Sequence, residues 1–375
     1  MQRWTWYLAG AGGAAALAAS VASPGAARSA AAQTWPAFVI VAGLLLVGLV
    51  AAEDRLFAAA GQRLAGACST GGVLFAGMAG LVMVVTALMN LDTSVAFLTP
   101  IAVHTGSRRR DDAAVLIPAC LLLSNAGSLL LPGSNLTNLI VLGGVHIPGG
   151  AFAAHMALPW AVAGVVTAGV VAWFGRTSLR RRVSSDGEAE TPVLGLGLLA
   201  IAASVVLILT LSDPAPEVAA VGLAAATVRL LQGRTSIRAA RQVLGLPVLV
   251  GLFGLAVALG ALGRDWTVPA SALSHLDPWA TAGVGGLSTV LMNNLPAASL
   301  LSARPPAHPL SLLIGLDLGP NLFVSGSLAW VLWYNAARIS GARPDVRRTV
   351  RMGLVAAPVS MAAAVAVLLL VGRLS

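Results

Sequence analysis

The stretch Leu310–Trp333, LSLLIGLDLGPNLFVSGSLAWVLW, decides how this chain is read. An apolar run, Leu310–Leu316, is cut by a polar, Gly/Pro-rich break, Asp317–Gly326, and a second apolar run, Ser327–Ala337, follows. Neither run reaches the ~18–20 apolar residues that a helix needs to cross a bilayer's hydrocarbon core. Joined through a break at mid-depth, they do. Irregular backbone at that depth is tolerated only where protein buries it or where it lines a cavity. The stretch therefore predicts a broken transmembrane helix in an all-α polytopic membrane protein.

Composition agrees. The chain has 375 residues, 57% hydrophobic and 10% charged, where a soluble domain carries roughly 25% charged residues. Too little polar surface is present to cover a water-facing globule. The net charge is +9, and every basic residue is arginine. The arginines sit in short loops between apolar segments rather than on one helix face or in a tail, which reads as the positive-inside signal of membrane topology and not as a nucleic-acid footprint. Cys68 and Cys120 form no zinc-type spacing, and the histidines at 104, 146, 155, 275 and 308 are scattered near segment ends. No metal or cofactor is expected. Arg3, the apolar run Leu8–Val21 and Ala30-Ala31-Ala32 fit a cleaved signal peptide or a first membrane helix equally.

The first half carries the same plan. Gly71–Met89, a polar tip at Asn90–Thr93 and Ser94–Thr105 read as a re-entrant hairpin; Ala113–Leu123, a break at Ser124–Asn135 and Leu136–Val145 read as a broken helix. In the second half the hairpin tip falls at Asn293-Asn294-Leu295-Pro296. Leu88-Met89-Asn90 matches Leu291-Met292-Asn293, and an offset of 192 lays Asn125 on Asp317 and Gly133–Leu136 on Ser325–Leu328. Two such matches in one order predict a structural repeat. Counting both hairpins as re-entrant puts most of the 23 arginines on one side. It also makes the first hairpin enter from the cytoplasm and the second from outside, so the halves are inverted. The expected organisation is an N-terminal helix or signal segment (1–35), a first inverted repeat (36–175), a cytoplasmic Arg-rich linker (176–192), a second inverted repeat (193–338), and a cytoplasmic loop with a C-terminal transmembrane helix (339–375).

The breaks supply the chemistry. Helix N-termini favour anions and free carbonyls coordinate cations or hydroxyl donors. The predicted substrate or ion site comprises Asn90, Asp92, Thr93 and Ser94 at the first tip, and Ser124, Asn125, Ser134, Asn135 and Asn138 at the first break. The second half adds Asn293 and Asn294 at its tip, and Asp317, Asn321, Ser325 and Ser327 at its break. Any single one of these is as well explained as a helix cap; four clusters at matching positions are not. Asp92 and Asp317 are the two carboxylates inside membrane-depth breaks, and neither has an arginine placed to neutralise it. A buried, uncompensated carboxylate costs at least ~2.5–3.5 kcal/mol, which makes both proton-coupling candidates.

These residues carry a family resemblance. The run Asp317-Leu-Gly-Pro…Gly326-Ser-Leu-Ala-Trp-Val-Leu-Trp333 resembles the DLGP…GSLA..LW signature of bacterial arsenite permeases, in the ion transporter superfamily. Met292–Pro296 resembles their MNN-hydrophobic-P hairpin, Ser134–Asn138 their SNLxN break, and Leu98-Thr99-Pro100-Ile101 the LTPI after their first hairpin. Asp92 matches the aspartate of their Asn-Asp tip, although Leu91 intervenes here, and one helix expected before the first hairpin is missing. Sodium-coupled dicarboxylate carriers of the wider superfamily share the plan. The resemblance spans Pro36–Arg338. It implies Asn90, Asp92, Asn135, Asn293, Asn294, Asp317 and Ser327 as the site. Related carriers are often homodimers, and some members dock an ATPase subunit; the arginine distribution puts the arginine-rich loops on the cytoplasmic side of an inner membrane.

The function expected is secondary transport by alternating access: export of arsenite or antimonite in exchange for protons. The alternative is sodium- or proton-coupled movement of an organic anion, or sodium/proton exchange. An intramembrane enzyme is not expected: Gly315-Leu316-Asp317 departs from the GxGD of aspartyl proteases, and Gly133-Ser134 has no placed histidine base.

Overall fold

The computed structural model describes residues 2–68, 70–107, 113–179 and 195–374. The arginines at 108–110 and 180–182, and most of the expected linker 176–192, lie outside them. Helix α1 (Gln2–Ala22) and helix α2 (Pro24–Glu53) are parted only by Ser23. Pro24 stands in the first turn of α2, where its missing N–H leaves no bond unmade. There follow α3 (Leu56–Ala67), the pair α4 (Gly71–Leu88) and α5 (Leu91–Ser107), then α6 (Ala113–Gly127), a 3-10 turn at Pro132–Ser134, α7 (Leu136–Val145), the long α8 (Gly149–Phe174) and the short α9 (Arg176–Leu179). Four helices join the halves: α10 (Leu196–Thr210), α11 (Ala215–Leu231), α12 (Ile237–Leu244) and α13 (Leu246–Asp265). The order of element types then recurs. A short α14 (Val268–Ser274) precedes the pair α15 (Pro278–Met292) and α16 (Asn294–Leu301). Then come α17 (Pro309–Leu318), a 3-10 turn at Gly319–Asn321, α18 (Ala329–Ile339) and the long α19 (Val346–Leu374). Five of the helical stretches are long and apolar enough to cross a membrane.

Packing repeats with the elements. Helix α4 packs on α6 as α15 packs on α17, and α6 packs on α8 as α17 packs on α19. Across the halves, α5 meets α18 while α16 meets α7, and α8 lies along α19. Two glycines make the equivalence atomic. A Cβ on Gly127 would stand 2.9 Å from Thr86 Cβ and 3.2 Å from Met83 Cα. A Cβ on Gly319 would stand 2.7 Å from Thr289 Oγ1 and 2.5 Å from Gly286 Cα. Gly127 and Gly319 are related by the 192-residue offset of the breaks. Their partners are related by the 203-residue offset of the hairpins. In each half a glycine lets the end of the broken helix touch the hairpin's first arm.

The first break is shorter than the sequence suggested, and the second is shifted by two residues, between Leu318 and Ala329. Helix α6 runs on through Ser124 and Asn125 to Gly127, because the Ser124 hydroxyl donates back to Cys120 O at 2.6 Å and so needs no partner outside the helix. The first tip contracts to Met89 and Asn90: Asn90 Oδ1 accepts from Thr93 N–H at 2.7 Å, which starts α5 early and puts Asp92, Thr93 and Ser94 on its first turn. The second tip contracts to Asn293 alone, so Asn294 and Pro296 are helical.

The α2 helix backs the first half. Its Gly48 lies against Thr93 and Met89, where an added Cβ would come within 2.8 Å of Thr93 Cγ2. Gly43 and Gly222 bring α2 and α11 to backbone contact, the small-residue packing that membrane helices use in place of a hydrophobic drive.

Candidate functional site

The two breaks cross, and amide side chains join them. From α6, Asn125 donates through Nδ2 to Asn321 Oδ1 at 2.7 Å; Asn321 Nδ2 returns to Leu122 O at 3.0 Å. One turn before Asn321, at the end of α17, Asp317 Oδ1 accepts from Asn135 Nδ2 at 2.8 Å. Asn135 is the N-cap of α7, and its own Oδ1 accepts from Thr137 N–H and Oγ1–H. The first break is folded back on itself. Ser128 Oγ donates to Asn125 O, Ser134 Oγ is shared between Leu131 O and Ser128 O, and Asn138 Nδ2 donates to Ser128 O at 2.7 Å. Ser94 on α5 meets Ser124: Ser124 spends its proton on Cys120 O, so Ser94 is the donor in the 3.2 Å contact between their hydroxyls.

Every one of these groups is buried, and Asp317 is wholly so. The side chains of Ser128, Asn135 and Asn138 face its carboxyl, yet Oδ2 has no hydrogen-bond partner, and no described arginine or histidine pairs with it. Asn125 Oδ1, Asn138 Oδ1, Thr93 Oγ1, Asn90 Nδ2 and Ser327 Oγ are likewise buried without partners. Buried polar groups are nearly always satisfied, and each orphan costs about 1–3 kcal/mol. Several of these orphans lie together at the crossing of the two broken helices.

The second tip is built differently. Asn293 holds φ +78°, a conformation costly for any residue with a Cβ. It is held there from both sides. Its Nδ2 donates to Ser325 O at 3.1 Å and its Oδ1 accepts from Leu295 N–H, while Asn294 N–H donates to Gly326 O at 2.8 Å and Ser325 Oγ to Val290 O at 2.6 Å. The tip is thus clamped on its own break. Met292 is 39% exposed and Ser325 is exposed, whereas the related Met89 is 1% exposed.

Of the sequence-predicted residues, eight fall in three adjacent hydrogen-bonded groups at the crossed breaks: Ser94 with Ser124; Asn125 with Asn321 and, through Ser128, with Ser134 and Asn138; and Asn135 with Asp317. Asn90 and Thr93 adjoin the first group through the first turn of α5, and Ser327 starts the path into α18. Asn293, Asn294 and Ser325 form the separate clamp. Asp92 is half-buried on the first turn of α5 and makes none of these bonds. Sequence reasoning missed three participants. Trp330 Nε1 donates to Pro320 O at 2.8 Å and Trp333 Nε1 to Ile117 O at 2.8 Å, pinning α18 to the second break and to α6. A Cβ on Gly353 would strike Asn321 O, so α19 touches the break's backbone directly.

A second buried carboxylate closes a helix end. Asp54, the C-cap of α2, takes Arg229 Nη2 on Oδ1 and Gly197 N–H on Oδ2 at 2.7 Å. Arg229 inside the apolar run Val218–Leu231 was the available signal.

Three comparisons bear on this geometry. The citrate transporter family, CitMHS, matches residues 5–326. No curated protein matches the chain in sequence. Among solved structures, that of the Alcanivorax borkumensis YdaH transporter, described as having an unusual topology, is similar in fold. The identity is 13%, the TM-score 0.56, and the match covers 91% of this chain and 86% of that one. The chain belongs to the citrate transporter family, and is a multi-pass secondary membrane transporter and not an enzyme.

Proposed function

We propose that the protein carries a small organic carboxylate of citrate's chemical class, coupled to a proton or monovalent cation at Asp317. The observation that carries this is the Asp317 carboxyl, wholly buried where the breaks cross, with one amide donor and one oxygen unpartnered. A carboxylate substrate brought beside an ionised Asp317 would place like charges in a low dielectric, where their repulsion far exceeds its value in water. No fixed cation of the described cluster relieves it. A proton or cation on Asp317 does, and so substrate and coupling ion enter together. The N-termini of α5, α7, α16 and α18 add the positive ends of helix dipoles beside the tips and breaks, which suits an anion.

The recurring elements and the reciprocal packing across α8 and α19 support two inverted halves, the first closing on α8 and the second on α19, that exchange access around this site, with the arginine-rich loops on the cytoplasmic face of a bacterial inner membrane. Arsenite needs no charge compensation, and the family match favours an organic anion over it. The test is uptake of radiolabelled citrate, succinate and arsenite into sealed proteoliposomes under an imposed proton or sodium gradient. Gradient-driven accumulation of a carboxylate, unaffected by excess arsenite, is expected. Accumulation of arsenite alone would reverse the assignment.

A further inference from the structure

The α11–α12 corner lies away from the crossed breaks and has a chemistry of its own. Arg229 closes the last turn of α11 and is 5% exposed. Its Nη2 is engaged by Asp54 and its Nη1 donates to Gln232 Oε1 at 2.7 Å, but Nε is buried with no acceptor. The following turn is fixed: Arg234 and Thr235 N–H both donate to Arg229 O, at 3.0 and 3.3 Å, through Gly233 at φ +67°. The Thr235 hydroxyl at this turn is also buried without a partner. Ser236 Oγ then caps α12 by accepting from Ala239 N–H at 3.1 Å.

Helix α12 buries none of its residues. Arg234, Arg238 and Arg241 are exposed, with no ion pair among the described residues. Beside them Leu231 is 83% and Ile237 57% exposed. Unpaired guanidinium groups and bare aliphatic side chains share this short turn and helix, between the apolar helices α11 and α13. Apolar side chains in such a place belong at the boundary of acyl chain and headgroup, with the guanidinium groups at the phosphates.

We propose that this corner binds the headgroup of an anionic phospholipid. The headgroup phosphate accepts from Arg229 Nε and Thr235 Oγ1, which are otherwise orphaned, and Arg234, Arg238 and Arg241 supply the surrounding positive charge. Leu231 and Ile237 enter the acyl boundary. Arg234, Arg238 and Arg241 suit the surrounding role because a free guanidinium fork donates to two phosphate oxygens at once. The inference stands apart from the transport reading, since none of these residues belongs to the crossed breaks.

The test is native mass spectrometry of the full chain released from nanodiscs of equal phosphatidylglycerol and phosphatidylcholine. Wild type is expected to retain phosphatidylglycerol at least tenfold over phosphatidylcholine. The Arg234→Gln/Arg238→Gln/Arg241→Gln variant is expected to lose that preference with its thermal unfolding in lipid-free detergent unchanged. Thr235→Val, which keeps the charge, is expected to weaken retention about threefold. No preference in wild type, an undiminished preference in the triple variant, or displacement of the lipid by millimolar inorganic phosphate would each overturn the assignment. The first would leave the arginines to an acidic protein, and the last would make the corner a site for a soluble anion.

Discussion

Asp54 and Asp317 are both buried carboxylates at helix ends, and they are treated in opposite ways. Asp54 has a guanidinium on one oxygen and a backbone N–H on the other. Asp317 has one amide on one oxygen and nothing on the other. The first joins α2, α10 and α11 with a partner on each carboxylate oxygen. The second is open, and it sits where the two breaks cross. A transporter needs both kinds. A paired charge holds the frame still, and an unpaired one changes state as an ion comes and goes.

The contrast can be broken by substitution. The largest effect on folding is expected at the closed pair. Asp54→Asn or Arg229→Gln strands a buried charge or donor, and should lower unfolding stability by about 3–5 kcal/mol. The double variant should lose less than the sum of the two. Thermal unfolding in detergent measures both, and additive losses would mean that the two residues do not act as a pair.

At the open carboxylate the sign differs. Asp317→Asn keeps the shape and removes the buried charge, so stability should stay level or rise, by up to about 3 kcal/mol. A loss as large as at Asp54 would make Asp317 a structural residue.

Glycine contacts sharpen the comparison between halves. Gly319→Ala drives a Cβ into Gly286 backbone at 2.5 Å, whereas at Gly127 the nearest atom is Thr86 Cβ at 2.9 Å. Overpacking of this kind costs about 1–3 kcal/mol, and Gly319→Ala should be the more damaging of the two. Equal losses would indicate that the second hairpin shifts as freely as the first.

The smallest effect is one of access alone. In a chain lacking Cys68 and Cys120, Met292→Cys should react with a membrane-impermeant maleimide and the related Met89→Cys should not, because the first tip is covered by α2 and the second is partly open. Added substrate should slow the Met292→Cys reaction. Equal labelling of both would remove the asymmetry between tips.

Much of this was legible in the sequence because polarity at membrane depth is so costly. The Gly/Pro breaks, the repeated Leu-Met-Asn tips and the lone carboxylate at Asp317 all violate apolar patterning, and each lies where the structure puts a break, a tip or an orphan. Their extent was less legible. Asn90 and Asn293 read as loop residues but act as caps, and capping lets the next helix begin at once, which moved Asp92 out of the tip and onto α5. Pairings across the chain were not legible at all. Asp54 and Arg229 lie 175 residues apart, and Asn125 finds Asn321 only because two breaks cross. The substrate was the least legible part. Short hydroxyl and amide side chains on broken backbone suit a neutral oxyacid as well as a carboxylate.

The most direct measurement is gradient-driven citrate uptake by purified protein in sealed proteoliposomes, wild type beside Asp317→Asn. The proposal requires accumulation above equilibrium in wild type, and in the variant only equilibration or exchange, at a level of folded protein no lower. Equal concentrative uptake by both would contradict a coupling role for Asp317, and none in wild type under either a proton or a sodium gradient would contradict coupled carboxylate transport itself.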